Sequence, residues 1–582
     1  MPVKPRPRFR MMSFSIVAVL LLILSACGSG GSSSSSTSSV TTPVKGGTWI
    51  EDLYEEPDSL IPNLSSETFA AMLMYGLYAP LIYGTPQGQL MPGIATQVPT
   101  VANGGVSSDL KTVTFHLRSG LVWSDGQPLD ARDVDFSWKV WANPKAAAYN
   151  TPFVLDIASA DVSSDNLTIT FHLKNPFVSF VSQWADGATA PMPAHVYSSM
   201  DPAAILKSPD NLNPSVVSGP FMMSESKPGD HYTMVRNPKY YQAAQGLPYL
   251  DKVVWRIVTD QNTILTDLQS GSIDSAWFLD VTKTLAYQSL SKYTTTYDGG
   301  GSPTNSYSWE AIWLNWNNKI ISSSPEVRTA MALAVDQQSL IQVARRGAAG
   351  ARCQDHPPLQ VPGYTASPPL NCPKFDLAAA NALLDQHGWV KGSDGVRAKN
   401  GERLEFQYST TANNLWRADD QLINQNNFKK IGIKLNIQNY PASTFFGSFL
   451  PGGSPSPPTG AVSGKYDIAE FAESGTYDPD NSVLLTCAEK GSGNFAFYCN
   501  QQMETYQKQQ LSTGDNTARQ QAFDGINNLI VTDHPFIVEF ADPNLGIHMK
   551  GTHNWVPSAI GLGSSINIWT WWCDNGTCPA SS

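Results

Sequence analysis

The chain has 582 residues, with 49 acidic against 38 basic ones, a formal charge of −11, and 15% charged beside 10% aromatic residues. That length exceeds a single compact core and suits two or three domains. The acidity, with no Lys/Arg cluster, argues against a nucleic-acid partner and against electrostatic binding to anionic lipid.

Lys4, Arg6, Arg8 and Arg10 precede an apolar stretch over residues 14–24, the layout of a secretory signal. As a helix that stretch rises roughly 16 Å, too short for a hydrocarbon core of ~30 Å, and no later run is long enough to span one. It closes on Leu24-Ser-Ala-Cys27, which resembles the lipobox of bacterial lipoproteins. Residues 1–26 are therefore expected to be a signal peptide, and Cys27 the lipid-bearing first residue of a mature chain of charge −15. The expected location is extracytoplasmic, lipid-anchored to the cell membrane. Residues 27–44, almost all Gly, Ser and Thr at first, read as a flexible tether with an r.m.s. length of roughly 20 Å.

Past the tether, a strand-like start at Trp49 and a turn at Pro57-Asp58 lead to an apolar helix over 68–78. Residues 111–118 and 166–174 alternate with period two and predict strands. Both contain Thr-Phe-His-Leu, and His116 and His172 are read as outward-facing strand residues rather than a metal or catalytic pair. Residues 252–258 predict a further strand, followed by a helix through Ile264 that ends at Gly271. Helices are expected over 325–344, 375–387 and 421–430, the last two leading into strands at 404–408 and 433–437. Such alternation is α/β. Residues 451–464, rich in Pro, Gly and Ser, read as a surface insertion.

Once Cys27 is assigned to lipid, six cysteines remain, in three close pairs: Cys353/Cys372, Cys487/Cys499 and Cys573/Cys578. Nearest-neighbour pairing is the simplest of several connectivities open in an oxidising compartment. Asn575-Gly576 would turn the chain inside the last pair. No Cys-x-x-Cys occurs, so a metal site is not expected. A nucleophile elbow, a His-Glu-x-x-His pair and a phosphate loop are all missing. The acidic pairs Glu55-Glu56 and Asp478-Pro-Asp480 carry little weight in so acidic a chain. No catalytic residue, metal or cofactor is implied, and the chain does not read as an enzyme.

One segment, running from Asp109 through Trp123-Ser-Asp-Gly126 and Asp130-Ala-Arg-Asp133 to Trp138, resembles the signature of family 5 solute-binding proteins. These are the oligopeptide, dipeptide and nickel-type receptors of ABC importers. Leu77-Tyr-Ala-Pro-Leu81, Ser218-Gly-Pro-Phe221, Arg236-Asn-Pro-Lys-Tyr-Tyr241, Leu268-Gln-Ser-Gly-Ser-Ile-Asp274 and the segment from Ser324 to Asp336 resemble further family motifs in the same order. Asp478-Pro-Asp480 with Cys487/Cys499 resembles the family's C-terminal lobe segment and its disulfide.

The resemblance implies a type II periplasmic-binding-protein fold: two hinged α/β lobes plus an extra third domain. Residues 45–83 and 215–308 would form lobe I, 84–214 the extra domain, and 309–548 the other lobe, with 549–582 returning to lobe I. It implies a receptor, expected to be a monomer, that captures an oligopeptide or other small solute between its lobes and delivers it to an ABC permease. An oligosaccharide receptor is an alternative, and a secreted enzyme or signalling receptor on the same fold is one from another class. Gly475 stands where peptide-binding members carry an acid for the ligand's ammonium group, with Glu473 two residues away. The carboxylate-binding Arg would fall near Ala412, with Arg417 the closest candidate. The expected pocket comprises Tyr54, Trp313, Asn315, Trp416, Glu473, Tyr477 and Asp478, where Trp313 and Asn315 alternate on one strand and would face the cleft together.

Overall fold

The computed structural model describes residues 42–582 apart from 66, 147, 150, 151, 299–305, 356–369, 451–465, 476, 559–562 and 582. The expected signal peptide, Cys27, most of the tether and the insertion at 451–464 lie outside the described residues. Residues 43–582 form one compact unit, within which no described helix is long and apolar enough to cross a membrane.

Thr48–Leu53 is the central strand of a seven-stranded sheet, in the order Tyr293–Tyr297, Leu545–Met549, Ser275–Leu279, Thr48–Leu53, Lys252–Ile257, His231–Arg236 and Phe221–Lys227. It runs parallel to both neighbours. Trp49 and Leu53 are fully buried, as a strand covered on both faces requires. Glu51 is buried on the same strand. It accepts hydrogen bonds from Ser275 Oγ, from Trp555 Nε1 at 3.0 Å and from Ser564 Oγ at 3.0 Å, which ties the first strand to the chain's last segment.

The second sheet has five strands in the order Lys434–Ile437, Glu405–Ser409, Ile468–Glu473, Trp309–Leu314 and Phe536–Ala541. A three-stranded antiparallel sheet, with Thr168–Leu173 between Thr112–His116 and Ile157–Val162, stands outside both. Its register sets His116 opposite Thr168 and His172 opposite Thr112. The two histidines thus share the outward face several residues apart. Its neighbouring helix Ala131–Trp141 opens on a capping box: Asp130 accepts from the Arg132 backbone N–H at 3.0 Å, and Asp133 accepts from that of Asp130 at 3.1 Å. Asp133 also accepts from Nε1 of the buried Trp123 at 3.2 Å. In this motif tryptophan and acid serve packing and capping.

The chain passes between the two large sheets twice. One crossing follows Tyr297 and the other links Ala541 to Leu545, and they are bonded together: Asp298 N–H donates to Asn544 O at 3.1 Å, and Asp542 N–H to Ser308 O at 2.9 Å. Asn544 Nδ2 donates to Asp298 Oδ2 at 2.7 Å. The expected return at 549 begins earlier, because Leu545, Ile547 and Met549 already alternate into the first sheet's core.

Two helices depart from expectation. The one expected over 325–344 stops at Ala334; Val335 is extended, and Asp336 caps a new turn by accepting from Ser339 N–H at 3.1 Å. A π-turn, Leu340–Ala344, then delivers Arg345 into the interior. The helix expected from 421 begins at Leu415, capped by Asn414. Its first inward turns bury Arg417, Asp420 and Asn424, so apolar spacing gave no sign of them.

The disulfides join nearest neighbours: Cys353–Cys372, Cys487–Cys499 and Cys573–Cys578, with Cα separations of 5.8, 4.8 and 5.0 Å. Between the last two, Asn575 and Gly576 both have positive φ, 57° and 69°, as a tight primed turn requires. Gly46, at φ 116°, lies against that turn, where a Cβ would stand 2.9 Å from the Gly576 carbonyl oxygen.

Burial pushes the Glu51 carboxyl up to about 7 and that of Asp298 up to about 8. Folded-state values above the unfolded ones mean that the native state holds protons the unfolded state releases. The contribution is complete below the unfolded carboxylate range and is lost as pH rises through 7 to 8. The thermal midpoint is therefore expected to fall by several degrees between about pH 5.5 and about pH 8.5, and Glu51→Gln to narrow that interval in calorimetry. A midpoint flat across this range contradicts the assignment.

Candidate functional site

A cavity of about 300 Å³ opens where strands Thr48–Leu53 and Ile468–Glu473 end, on opposite sheets. Carboxyl ends of strands in open α/β sheets are where ligands settle. Residues 54–71, just past the first strand, form one wall, and residues 471–484, the end of the second strand and its continuation, face it. Trp416 and Arg417, from the first turn of helix Leu415–Lys430, Asp186 with its loop, and the Asp542–Asn544 crossing contribute further lining.

Its aromatic side is interlocked. Tyr54 meets Phe69 edge to face at 5.0 Å and Trp416 at 6.0 Å, so the two lobes touch through these rings. Tyr477 packs against Gly84, at the end of strand Ile82–Gly84, so closely that a Cβ there would lie 1.9 Å from its ring. Ser179 Oγ donates to Asp480 Oδ2 at 3.2 Å, closing a further bridge across the cleft.

The polar side is acidic. Arg417 is the only basic side chain among the described lining residues, against seven carboxylates. It is already committed: Nε lies 3.1 Å from both oxygens of the buried Glu310, and Nη1 donates to Thr411 Oγ1 at 3.0 Å. Behind it, Arg345 Nε reaches Asp542 Oδ1 at 3.2 Å, and its Nη2 reaches Asp420 at 3.1 Å. Asp478 is held by Arg519 at 2.6 and 3.0 Å. Glu473 has no hydrogen-bond or ion-pair partner among the described residues, and burial pushes its carboxyl up to about 8. Burial likewise lifts Glu55 to about 7, although Arg417 opposes the shift. Asp186 is raised to about 6, opposed by the hydrogen bond it accepts from Ala188 N–H at 2.7 Å. Glu67 accepts from Asp58 N–H at 3.1 Å through one oxygen; the other is buried without a partner.

Of the expected pocket residues, Tyr54, Trp416, Glu473, Tyr477 and Asp478 line this cavity together with Arg417. Trp313 and Asn315 do not. Trp309–Leu314 is paired on both sides, and Trp313 stacks on Phe471 at 4.6 Å with 7° between planes, in the core behind the wall. Alternation does give Asn315 the parity of Trp313, but there the chain leaves the strand, and Nδ2 donates to Tyr466 O at 2.5 Å. Both residues support the wall, while Phe471 forms it. Sequence reasoning missed Glu67, Asp186 and Phe471, and set Glu55 aside as one acid among many. Its place just past the first strand's end was the available clue.

The sequence pattern described as bacterial extracellular solute-binding proteins, family 5 Middle, matches residues 89–495. Protein XP55 of Streptomyces lividans is 26% identical over 491 residues, 82% of each chain. The oligopeptide-binding protein AppA of Bacillus subtilis (strain 168) is 25% identical over 507 residues, 86% of this chain and 87% of its own. In fold, the chain is similar to the solved structure of AppA from Bacillus subtilis in complex with a nonapeptide. The TM-score is 0.82 at 21% identity, covering 92% of this chain and 100% of that one.

The Tyr477–Gly84 packing gives a direct test. Gly84→Ala is expected to displace the ring and weaken solute binding by about tenfold. In a Tyr477→Ala background the same change should cost almost nothing, as a double-mutant cycle read by titration calorimetry would report. Equal losses in both backgrounds would separate the two residues.

Proposed function

This chain belongs to family 5 of the bacterial extracellular solute-binding proteins, and we propose that it captures an oligopeptide in the cavity between its sheets and delivers it to an ABC permease. The observation that carries this reading is the cavity itself. Residues of both sheets meet around it at strand ends, and two bonded crossings join those sheets. Such a pair of segments is the place for a hinge, and hinge closure around a solute is the signal a permease can read. The name of the relative AppA supports a peptide as cargo. Tyr54 and Trp416 meet edge to face and spend ring surface on each other, which favours a peptide over a sugar needing open stacking faces.

In this reading the protein carries out no reaction of its own and works as a monomer. Lipid on Cys27 would hold it at the membrane, where residues 27–44 serve as a leash and raise its effective concentration near the permease. Tyr54, Trp416, Glu473, Tyr477 and Asp478 are the proposed ligand-binding residues. Trp416 supplies an aromatic edge beside Tyr54 and Glu473 a carboxyl with no partner among the described residues, while Asp478 acts through its pair with Arg519.

Native mass spectrometry of the protein purified from its own host is expected to show a retained peptide. After unfolding and refolding to strip it, Trp416→Ala should weaken rebinding by about tenfold or more, read per mole of protein that calorimetry shows to be folded. A retained sugar, or no peptide binding by the stripped protein, overturns the peptide reading.

A further inference from the structure

The wall of this cavity carries carboxyl groups that no basic side chain compensates among the described residues. Of its seven carboxylates, Asp478 is neutralised by Arg519 and Asp542 by Arg345. Asp480 is held by neutral donors, Ser482 N–H at 3.0 Å and Gln510 Nε2 at 2.8 Å. Arg417, the single cation among the described lining residues, is turned to Glu310 behind the wall. Glu55, Glu67, Asp186 and Glu473 remain without a basic side chain bonded to them. They do not stand on one side: Glu55 and Glu67 extend from the first sheet's wall, and Glu473 ends a strand of the second. Glu67 is 7% exposed, with one oxygen unpartnered.

A buried ion without a counter-ion costs several kcal/mol, and like charges set side by side cost about as much. An anionic solute would meet these penalties wherever a wall carboxyl ionises, and a neutral one would leave the carboxyls in their protonated form, whereas a cation lets them ionise and supplies the missing partner. We propose that the preferred cargo is basic: a peptide or comparable solute with two or more positive charges, gripped by Glu473 from one lobe and by Glu55 and Glu67 from the other. This deepens the reading of the cavity as a solute site and rests on it. A dication spanning the cleft satisfies acids on both walls only when the lobes close, so charge recognition and closure become one event.

Proton release follows. Burial keeps Glu473 and Glu55 protonated into the neutral range. The titratable groups facing these acids are Tyr149 at Glu473, Arg417 and Tyr54 at Glu55, and Asp58, Glu55 and Glu56 at Glu67. Of these, only Arg417 is cationic. An arriving ammonium group therefore displaces protons rather than another cation.

The test is titration calorimetry on the stripped full chain near about pH 7 with Ala-Lys-Ala, the same peptide with norleucine for lysine, Ala-Glu-Ala, diaminopentane and pentanediol. Lysine should be preferred over norleucine by about tenfold or more, with weakest binding by the glutamate peptide and with proton release that varies the heat between buffers. In Glu473→Gln and Glu67→Gln the lysine-to-norleucine ratio should fall below about threefold, a ratio that simple loss of folded protein leaves alone. Equal binding of lysine and norleucine peptides, or preference for glutamate, overturns the inference. If no peptide binds but the diamine does and the diol does not, the peptide reading fails and the basic cargo stands. If the diamine fails as well, both fall.

Discussion

Arg345 has no exposed surface, and its guanidinium sits among Asp420, Asp542 and Glu310 in the interior of the second lobe. A charge buried so deeply is tolerable only when paired, and the pairing fixes every group that supplies it. Arg417 enters from the cavity side and shares Glu310 with it. Glu470 and Glu539, close by, take hydrogen bonds from Tyr408 and Asn424, and burial together with the neighbouring acids lifts both carboxyls well above their usual range. The two arginines are thus spent on the lobe's interior acids and on Asp542, and neither bonds Glu55, Glu67, Asp186 or Glu473.

The same network reaches the crossing between the sheets. Asp542 belongs to the second crossing and lines the cavity, while its side chain is held by Arg345. Next to it, Asn544 bonds Asp298 and Ser308 of the first crossing. A solute touching the wall at Asp542 or Asn544 therefore presses on the segments about which the lobes would turn. Solute, hinge and buried charge are mechanically continuous, because interiors packed this tightly shift between discrete arrangements rather than deforming smoothly.

Much of this was legible in the order of residues. Capping at Asp130, the turn at Asn575-Gly576 and the pairing of cysteines separated by 19, 12 and 5 positions are local events, set by short-range geometry that composition reveals. Strands such as Thr112–His116 declared themselves by alternation. Failures came where polar residues turn inward. Helix Leu415–Lys430 conceals Arg417, Asp420 and Asn424, and the helix expected to run on to residue 344 breaks where Asp336 caps a new turn. Apolar periodicity has no means of reporting a buried polar face.

By itself the sequence determined the family, the α/β architecture and most of the aromatic and acidic candidates, and offered nearest-neighbour pairing as the simplest disulfide set, since motif order, alternation and local spacing survive without coordinates. It could not decide which face of the Trp309–Leu314 strand looks at the solute. Trp313 and Asn315 share a parity that fits a cleft and a core equally well, and only the strands paired on either side, with Phe471 stacked in front, assign that face to the core. Nor could it reveal that Arg417 is committed to Glu310 while Glu473 has no partner among the described residues. Partners more than a hundred residues apart in the chain set the charge of the cavity, and folding alone brings them within 3.1 Å.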